Sequence, residues 1–158
     1  MKKIRNPYLG LEEQGYNCFA CCPSNPYGLK MEFYEDGEDV VCIWEPHVNF
    51  QSWIGTLHGG IQATLLDEAG GWIISRKLQT TGMTTHLNVR YNSSVPVGKG
   101  PIEIRARLKE MKRNFAFIEA EISHEGIICS TCEMVYCTFS KEVAEKDFHF
   151  RGCSLEEE

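Results

Sequence analysis

The sequence predicts an α+β fold in which an antiparallel sheet of about six strands wraps around one long central helix. Two strand-like stretches precede a single long stretch of helical periodicity, and four alternating stretches follow it. Consecutive strands joined by short turns pair antiparallel, and a helix with a wide apolar stripe must be covered by the sheet. The 158 residues, 42% of them hydrophobic, have the size and composition of one globular domain, so we expect a single domain over residues 1–158.

The segment before the helix is predicted to contain a loose arm and one hairpin. Residues 1–17 are polar and rich in turn formers, so we expect a loosely packed N-terminal arm that contains at most a short helix. The two strand-like stretches are Leu29–Tyr34 and Val40–Trp44, and Asp36-Gly37 lies between them. An Asp-Gly pair between apolar alternations predicts a hairpin turn.

A helical period begins at Gly59 and ends near Leu78. Its apolar positions recur three or four residues apart and form a wide stripe: Ile61, Leu65, Leu66, Ala69, Trp72, Ile73 and Ile74. Another side of the helix carries small residues interrupted by one carboxylate: Gly60, Thr64, Asp67 and Gly71. Small side chains allow a ligand or another backbone to approach closely, so we expect a crevice on this side.

The four later strands are predicted from alternation and from the short turns between them: Thr84–Tyr91, Ile102–Glu110, Phe115–Ile122 and Ile127–Phe139. In the second of these, apolar residues face one way, whereas Arg105, Arg107 and Lys109 face the other. The residues after Lys141 are polar, and we expect the tail over 141–158 to fray.

Charge and cysteine usage argue against several classes of protein. Sixteen basic and twenty-two acidic residues give a net charge of −6, which disfavours general binding to nucleic acid or to an anionic membrane. No apolar run spans a bilayer, and the N-terminus lacks the apolar stretch of a signal peptide, so we expect a cytoplasmic location. The eight cysteines are then expected to be reduced. Cys18 and Cys21 have the spacing of half a zinc site, but a second pair of ligands is lacking and we expect no metal.

The loop that leads into the helix is the first candidate site. Gly55–Gly60 runs directly into the helix, whose start presents unpaired backbone N–H groups and a positive dipole end. A plain interpretation is a tight turn capped by His58. Asp67 favours a functional interpretation, because a carboxylate facing a crevice acts as a base or a nucleophile toward a polarised electrophile.

The segment from His58 to Ala69 resembles the signature of hot-dog-fold acyl-CoA thioesterases, in the branch typified by phenylacetate-pathway thioesterases. Val89-Arg90-Tyr91, followed by Pro96 and Gly98, resembles the family's strand after the helix. The stretch Cys18–Leu29 resembles the leader of a subgroup. The resemblance implies an enzyme that hydrolyses an acyl-CoA thioester to a free acid and coenzyme A, with no cofactor beyond the coenzyme A of the substrate.

The resemblance also implies catalytic roles. Asp67 matches the carboxylate that attacks the thioester or activates water, and Gly59 matches the residue whose backbone N–H polarises the carbonyl. His58 matches a residue that supports the loop and touches the substrate. The substrate-binding candidates are Gly60, Ser52, Gln51, Thr84, Thr85, Lys112 and Arg113.

Three of these assignments stay open at the level of sequence. A Ser or Thr near the start of the strand after the helix assists in related enzymes, and the alignment favours Thr84 whereas the apolar phase favours Thr85. The family often has Asn or Gln six residues before the histidine, where this chain has Ser52, so either Gln51 substitutes or turnover is weaker. Lys112 and Arg113, at a predicted hairpin tip, are the candidates for the phosphates of coenzyme A.

The spacing of the two catalytic groups predicts an oligomer. Gly59 and Asp67 are eight residues apart on one helix, so their backbones are separated by about 12 Å, too far to act on one carbonyl. Two antiparallel helices across a twofold axis bring Gly59 of one chain beside Asp67 of the other, which predicts a homodimer or a dimer of such dimers. The alternatives are a non-catalytic acyl-CoA-binding or regulatory protein and a hot-dog dehydratase.

Overall fold

Seven strands form one antiparallel sheet in the computed structural model, which describes residues 1–158. Their order across the sheet is β1-β2-β3-β5-β6-β7-β4, so β4 lies at one edge. The strands are β1 (Lys2–Lys3), β2 (Tyr34–Asp36), β3 (Asp39–Trp44), β4 (Gly82–Tyr91), β5 (Ile102–Lys112), β6 (Phe115–His124) and β7 (Ile127–Thr138). The predicted α+β class is confirmed, and the extra strand is the short β1, which pairs with β2.

The long helix α1 (Gly59–Lys77) packs against the sheet and begins and ends within one residue of its predicted bounds. Most of the predicted apolar stripe is buried, including Leu65, Leu66 and Ile73, and it belongs to a core of 32 buried residues. At Gly70 the helix approaches the sheet so closely that a β-carbon would overlap the sulfur of Met134. The helix therefore has one face pressed onto the sheet and leaves the side of Asp67 half-buried.

The predicted alternation of β5 is confirmed, and it explains what the basic side of the strand does. Ile102 and Ile104 are buried in the core, whereas Arg105 and Arg107 lie on the opposite face. Both guanidinium groups donate to Asp39, at 2.8 Å and 2.6 Å. Hydrogen bonds from Arg107 lower the pKa of the Asp39 carboxyl. These arginines are thus engaged by carboxylates of the same chain.

The segment before β2 has the alternating burial of a strand without being one, as shown by Leu29, Met31 and Phe33. The three side chains are buried, as the predicted strand over Leu29–Tyr34 demands. Their backbone, however, does not pair with β3: the N–H of Leu29 donates to Phe19 at 2.8 Å, and Lys30 has a φ of 54°. A left-handed residue breaks an extended strand, so regular pairing starts only at β2.

The expected loose N-terminal arm is instead fixed to the body of the protein. Lys2–Lys3 forms β1, Ile4 is buried, and the N–H of Arg5 donates to the carbonyl of Ser154 at 2.9 Å. The partner of this arm is the C-terminal segment, which joins it through the bridge between Ile4 and Leu155. The prediction of an arm without firm packing was therefore wrong.

The expected frayed tail over 141–158 is also packed. It forms the short helix α2 (Lys141–Phe148), which begins at a Ser140 cap, and then places Phe150, Cys153 and Leu155 in the core. The Gln79 amide holds the backbone of Cys153 through two hydrogen bonds, at 2.8 Å and 2.9 Å. Neither α1 nor α2 has the length and hydropathy that a membrane-spanning segment requires.

Candidate active site

Asp67 lies in the middle of α1, where the helix passes the start of β4. Its Oδ1 accepts hydrogen bonds from the hydroxyl groups of Thr84, at 2.6 Å, and Tyr136, at 2.8 Å. The Tyr136 hydroxyl also donates to the main-chain oxygen of Asp67. The other carboxylate oxygen, Oδ2, has no hydrogen-bond partner in the chain. One oxygen is thus held by two donors while the other is free to meet a water molecule or a carbonyl carbon.

A β-bulge decides between the two threonines. The pairing of β4 with β7 shifts by one residue between Thr84 and His86. The shift sends the Thr84 hydroxyl to Asp67, whereas the Thr85 hydroxyl donates to the carbonyl of Val135 at 3.0 Å. An extra residue in one strand reverses the side-chain phase beyond it, which is why the apolar phase pointed to Thr85. The structure brings Thr84, and not Thr85, to the carboxylate.

Tyr136 is a site residue that the sequence analysis missed. It lies on the inward side of β7, two residues after Met134, and is buried. Burial raises the pKa of its phenol, so the hydroxyl stays protonated and keeps donating to Asp67. The available signal was its inward position, because a buried tyrosine almost always has a hydrogen-bond partner.

The start of α1 presents one unpaired backbone donor. His58 caps the helix: its Nδ1 accepts from the N–H of Gly60 at 2.9 Å. The N–H of Gly59 donates to no group of the chain, because the first N–H of a helix has no acceptor in the preceding turn. The Gly59 carbonyl accepts from the Tyr91 hydroxyl at 2.7 Å, which ties the helix start to the far end of β4. Gly59 is therefore the available donor, while Gly60 is occupied by His58.

The loop before the helix engages both of its candidate polar side chains. The Gln51 amide oxygen accepts from the N–H of Gly55 at 3.1 Å, and the Ser52 hydroxyl donates to the carbonyl of Thr56 at 3.4 Å. Neither side chain hydrogen-bonds to Asp67 or to Gly59. At the tip of this loop Trp53 and Ile54 are 82% and 97% exposed.

Lys112 and Arg113 occupy the hairpin between β5 and β6, as predicted, and do not contact Asp67. The Lys112 ammonium lies 3.6 Å from Glu110 and 5.2 Å from the ring centre of Phe117. The sheet register connects this tip to the candidate site: Lys112 is opposite Phe115, which is opposite Cys137 on β7, and Cys137 is opposite Met83 on β4. The two cations thus lie at the end of the sheet where Thr84 is found.

One group of side chains has the composition and proximity of metal ligands. Cys18, Cys21 and Glu68 place two sulfur atoms and one carboxylate oxygen within 4.8 Å of one another. All eight cysteines are free thiols. The group is separate from Asp67, although Glu68 follows it directly in α1.

Residues 54–130 match the family model of the thioesterase superfamily. No curated protein sequence matches the chain. Among solved structures, a thioesterase superfamily protein aligns with a TM-score of 0.69 and 20% identity over 76% of this chain, and the alignment spans only 62% of that protein. A Shewanella loihica thioesterase superfamily protein aligns with a TM-score of 0.61 and 26% identity, over 74% of this chain and 96% of its own.

A Streptococcus mutans protein whose crystal structure holds acetyl-CoA aligns with a TM-score of 0.63 and 17% identity, over 70% of this chain and 90% of its own. The matched residues 54–130 contain α1, β4, β5 and β6, and hence Gly59, Asp67 and Thr84. One antiparallel sheet packed on one long helix is the architecture that these relatives share with the chain. Residues 54–130 are thus similar to the thioesterase superfamily, and the fold of the chain is the hot-dog fold.

Proposed function

We propose that the protein hydrolyses an acyl-CoA thioester to a free acid and coenzyme A. The observation that carries the proposal is Asp67, whose Oδ1 is held by Thr84 and Tyr136 while Oδ2 is unpartnered. A carboxylate in this state removes a proton from water or attacks the carbonyl carbon directly. The unpaired N–H of Gly59 supplies the second requirement, a donor for the negative charge that develops on the carbonyl oxygen.

The solved relatives support coenzyme A as the carrier of the acyl group. One holds acetyl-CoA, and a Streptococcus pneumoniae protein described as a hypothetical thioesterase holds coenzyme A. The pneumococcal protein was also crystallised with an aspartate changed to alanine and with a threonine changed to alanine. Asp67 and Thr84 are the pair of these residue types in contact here. Within the superfamily, we assign the chain to the phenylacetate-type branch, on the resemblance of His58–Ala69 to its signature.

In the general-base route, Asp67 takes a proton from water and the resulting hydroxide attacks the thioester carbon. The carbonyl oxygen becomes negatively charged and accepts a hydrogen bond from Gly59. When the carbonyl re-forms, the carbon–sulfur bond breaks and the coenzyme A thiolate receives the proton held by Asp67. In the nucleophilic route the carboxylate itself attacks the thioester carbon, and the carbon–sulfur bond breaks to release the coenzyme A thiolate. Water then hydrolyses the mixed anhydride to the free acid and Asp67, and supplies the proton that the thiolate takes up. Both routes require the free Oδ2 and the same donor at the helix start.

The free edge of the sheet supports a homodimer. In one chain, Asp67 lies beside Thr84 at the start of β4, whereas Gly59 lies beside Tyr91 at the end of that strand. Two β4 edges paired antiparallel about Leu87 would place Thr84 of one chain opposite Arg90 of the other, next to Tyr91. That arrangement brings each Asp67 toward the helix start of the second copy and removes the separation of about 12 Å within one helix.

The side chains around this edge fit the proposed contact. Apolar residues on β4 and on the neighbouring loop are exposed in the single chain: Trp53, Ile54, Met83, Leu87 and Tyr91. A ten-residue edge strand with such side chains is a template for pairing with another chain. A second copy covers both the unpaired backbone and the apolar surface. A dimer of such dimers would leave each pair of sites unchanged.

Lys112 and Arg113 are proposed to contact the phosphates of coenzyme A. They are exposed cations at the end of the sheet near Thr84, and Lys112 has only the exposed Glu110 as a partner. Arg105 and Arg107, in contrast, are held by the buried carboxylate of Asp39. Reversing both charges, Lys112→Glu with Arg113→Glu, should raise KM with little change in kcat and weaken the dependence of KM on salt. A KM for acyl-CoA equal to that of wild type would remove them from the site.

The experiment that tests the function is thioester cleavage across a panel of acyl-CoA esters, followed by ultraviolet absorbance of the thioester. Thiol reagents are unsuitable because the eight free cysteines would react. Asp67→Asn should lower kcat by about 10²–10⁴-fold, which is the contribution of a general base. Tight binding without turnover by the wild type would overturn the enzymatic proposal and favour the non-catalytic acyl-CoA-binding alternative. Hydration of an enoyl-CoA without hydrolysis would identify a dehydratase.

Mixed dimers test whether the site is shared. Asp67→Asn and Gly59→Pro each inactivate both sites of their own homodimer. In a hybrid of the two variants, one site carries both changes and the other carries neither. Co-expression with random assembly should therefore restore about a quarter of wild-type activity. A mixture as inactive as the two separate variants would show that Gly59 and Asp67 act within one chain.

A further inference from the structure

A cluster of two thiols and one carboxylate joins the N-terminal leader to α1. Cys18 and Cys21 belong to the leader, and Glu68 lies in the helix directly after Asp67. The Cys18 sulfur is 3.8 Å from Oε1 of Glu68, and all three ligand atoms lie within 4.8 Å of one another. Only the first two members are recognisable from the sequence, because the third comes from a helix fifty residues along the chain.

No cationic side chain balances this cluster. Glu68 accepts hydrogen bonds from the Trp72 indole, at 3.0 Å, and from the Cys18 thiol, but forms no salt bridge with Lys, Arg or His. Cys21 is buried, and Cys18 and Glu68 are half-buried. Buried acidic groups are stable when they pair with a positive charge, and a bound cation is one way to supply it.

We infer that Cys18, Cys21 and Glu68 bind one Zn²⁺ ion. Two thiolates and a carboxylate form a borderline-soft donor set that suits Zn²⁺ and excludes Mg²⁺ and Ca²⁺, which prefer oxygen ligands alone. Zinc–sulfur bonds of about 2.3 Å and zinc–oxygen bonds of about 2.0 Å place tetrahedral ligand atoms roughly 3.5–3.8 Å apart. Ligand atoms that lie within 4.8 Å of one another need to approach by at most about 1 Å to reach these separations.

A cavity of about 310 Å³ beside the cluster leaves the fourth zinc position open to a water molecule. Its walls include Cys18, Cys21 and Glu68 together with Tyr16, whose hydroxyl lies 3.1 Å from the Cys21 sulfur. Three protein ligands with one open position form a recognised type of zinc site. The cavity also reaches Tyr136, which holds Asp67. The metal would thus fasten the leader to α1 one residue from the proposed catalytic carboxylate.

Cobalt substitution tests the site without reference to thioesterase activity. The full chain is reduced, stripped with a chelator and titrated anaerobically with Co²⁺. One equivalent should produce thiolate-to-cobalt charge-transfer absorption and the visible bands of tetrahedral Co²⁺, and Zn²⁺ should displace both signals. Zinc should also raise the Tm of the stripped protein, because binding to the folded state stabilises it.

Matched variants assign the signal to the cluster. Cys18→Ser and Glu68→Gln should each weaken zinc binding by more than about 100-fold, since even outer-shell partners are worth 10–100-fold. Cys22→Ser is the control: this buried neighbour bonds Ser24 and the Tyr16 carbonyl, outside the cluster, and should bind zinc like wild type. The inference is overturned if reduced wild-type protein shows no thiolate–cobalt absorption, or if Cys22→Ser loses binding as completely as Cys18→Ser. The wild-type titration decides even if a variant fails to fold.

Discussion

Removing a single backbone N–H from the start of α1 tests the proposed mechanism directly. Gly59 is the first residue of the helix, and its N–H donates to no group of the chain. Proline is favoured at this first position, where the missing N–H breaks no helical hydrogen bond. His58 has φ −60° and ψ 134°, the extended conformation that a residue before proline adopts. Gly59→Pro therefore deletes the donor and leaves the helix in place.

The expected loss of kcat follows from the contribution of one hydrogen-bond donor to stabilising the oxyanion. Loss of one oxyanion donor costs about 10²–10³-fold in kcat, or roughly 2.7–4 kcal/mol of transition-state stabilisation. Crowding does not account for an effect of this size, because a β-carbon at residue 59 would lie 3.5 Å from the Tyr91 ring, an ordinary contact. Gly59→Ala carries the same β-carbon and keeps the N–H, so it is the matched control. We expect its kcat to remain within about threefold of wild type, far from the loss of an oxyanion donor.

The measurement is kcat for the best acyl-CoA substrate, with thermal unfolding by circular dichroism to show that both variants fold. The Tm of Gly59→Pro should not fall, since a compatible proline reduces the entropy of the unfolded chain. The proposed role of the Gly59 N–H fails if Gly59→Pro has the kcat of wild type. It fails equally if Gly59→Ala loses as much activity, since the effect would then come from the side chain and not from the N–H.

Three further predictions concern other contacts. Thr84→Val should lower kcat by about 10-fold or more, because a hydrogen bond to a charged group is worth about 1.5–3 kcal/mol. Thr85→Val is the control, and its kcat should stay near that of wild type. Equal kcat values for the two variants in steady-state kinetics would contradict the assignment of Thr84. Gly70→Ala should destabilise the fold by about 1–3 kcal/mol through overlap with Met134, as measured by urea unfolding. Gly71→Ala, whose β-carbon would have an ordinary 3.7 Å contact, is the control, and equal losses would refute the overlap. Hydrogen bonds from Arg76 lower the pKa of Glu35 from 4.5 to about 2. The contribution of Glu35 to the free energy of unfolding is therefore complete above pH 4.5 and is lost as the pH falls toward 2. Glu35→Gln should therefore lower the free energy of unfolding by about 1 kcal/mol at neutral pH, after allowance for solvent screening. It should also reduce the pH dependence of this free energy, measured by urea unfolding, between these pH values. An unchanged pH dependence would show that the ion pair of Glu35 with Arg76 contributes nothing to stability.

The central part of the fold was predictable because its signals are local and agree with one another. The helical period of α1, its apolar stripe and the glycines before it all point to one element, and Leu65 and Ile73 are buried where the period places them. The hairpin turns were also readable: Gly37 and Gly126 both have positive φ, as tight turns between strands require. Asp67 was singled out by the small-residue side of this helix, and Gly59 by the resemblance of His58–Ala69 to a known signature.

The ends of the chain were mispredicted because their stability depends on distant partners. Ile4 and Leu155 are isolated apolar residues in polar surroundings, and neither alone predicts burial. Each becomes buried only because the folded sheet brings the two termini together, where they form a bridge. The same limit applies to Tyr136, which reaches Asp67 across the sheet, and to Thr84, whose direction depends on a bulge that alternation does not reveal.

The incomplete site and the uncovered edge of the sheet have one structural cause. β4 separates the two chemical groups, since Thr84 at its start holds Asp67 and Tyr91 at its end holds Gly59. Because β4 is also the free edge, the surface that exposes both groups is the surface on which the proposed second chain would pair. An isolated chain would have a base without an oxyanion donor at one end of the strand and an oxyanion donor without a base at the other. Antiparallel pairing of two edges would complete two sites at once, so in this fold covering the edge and assembling the catalytic groups are the same event.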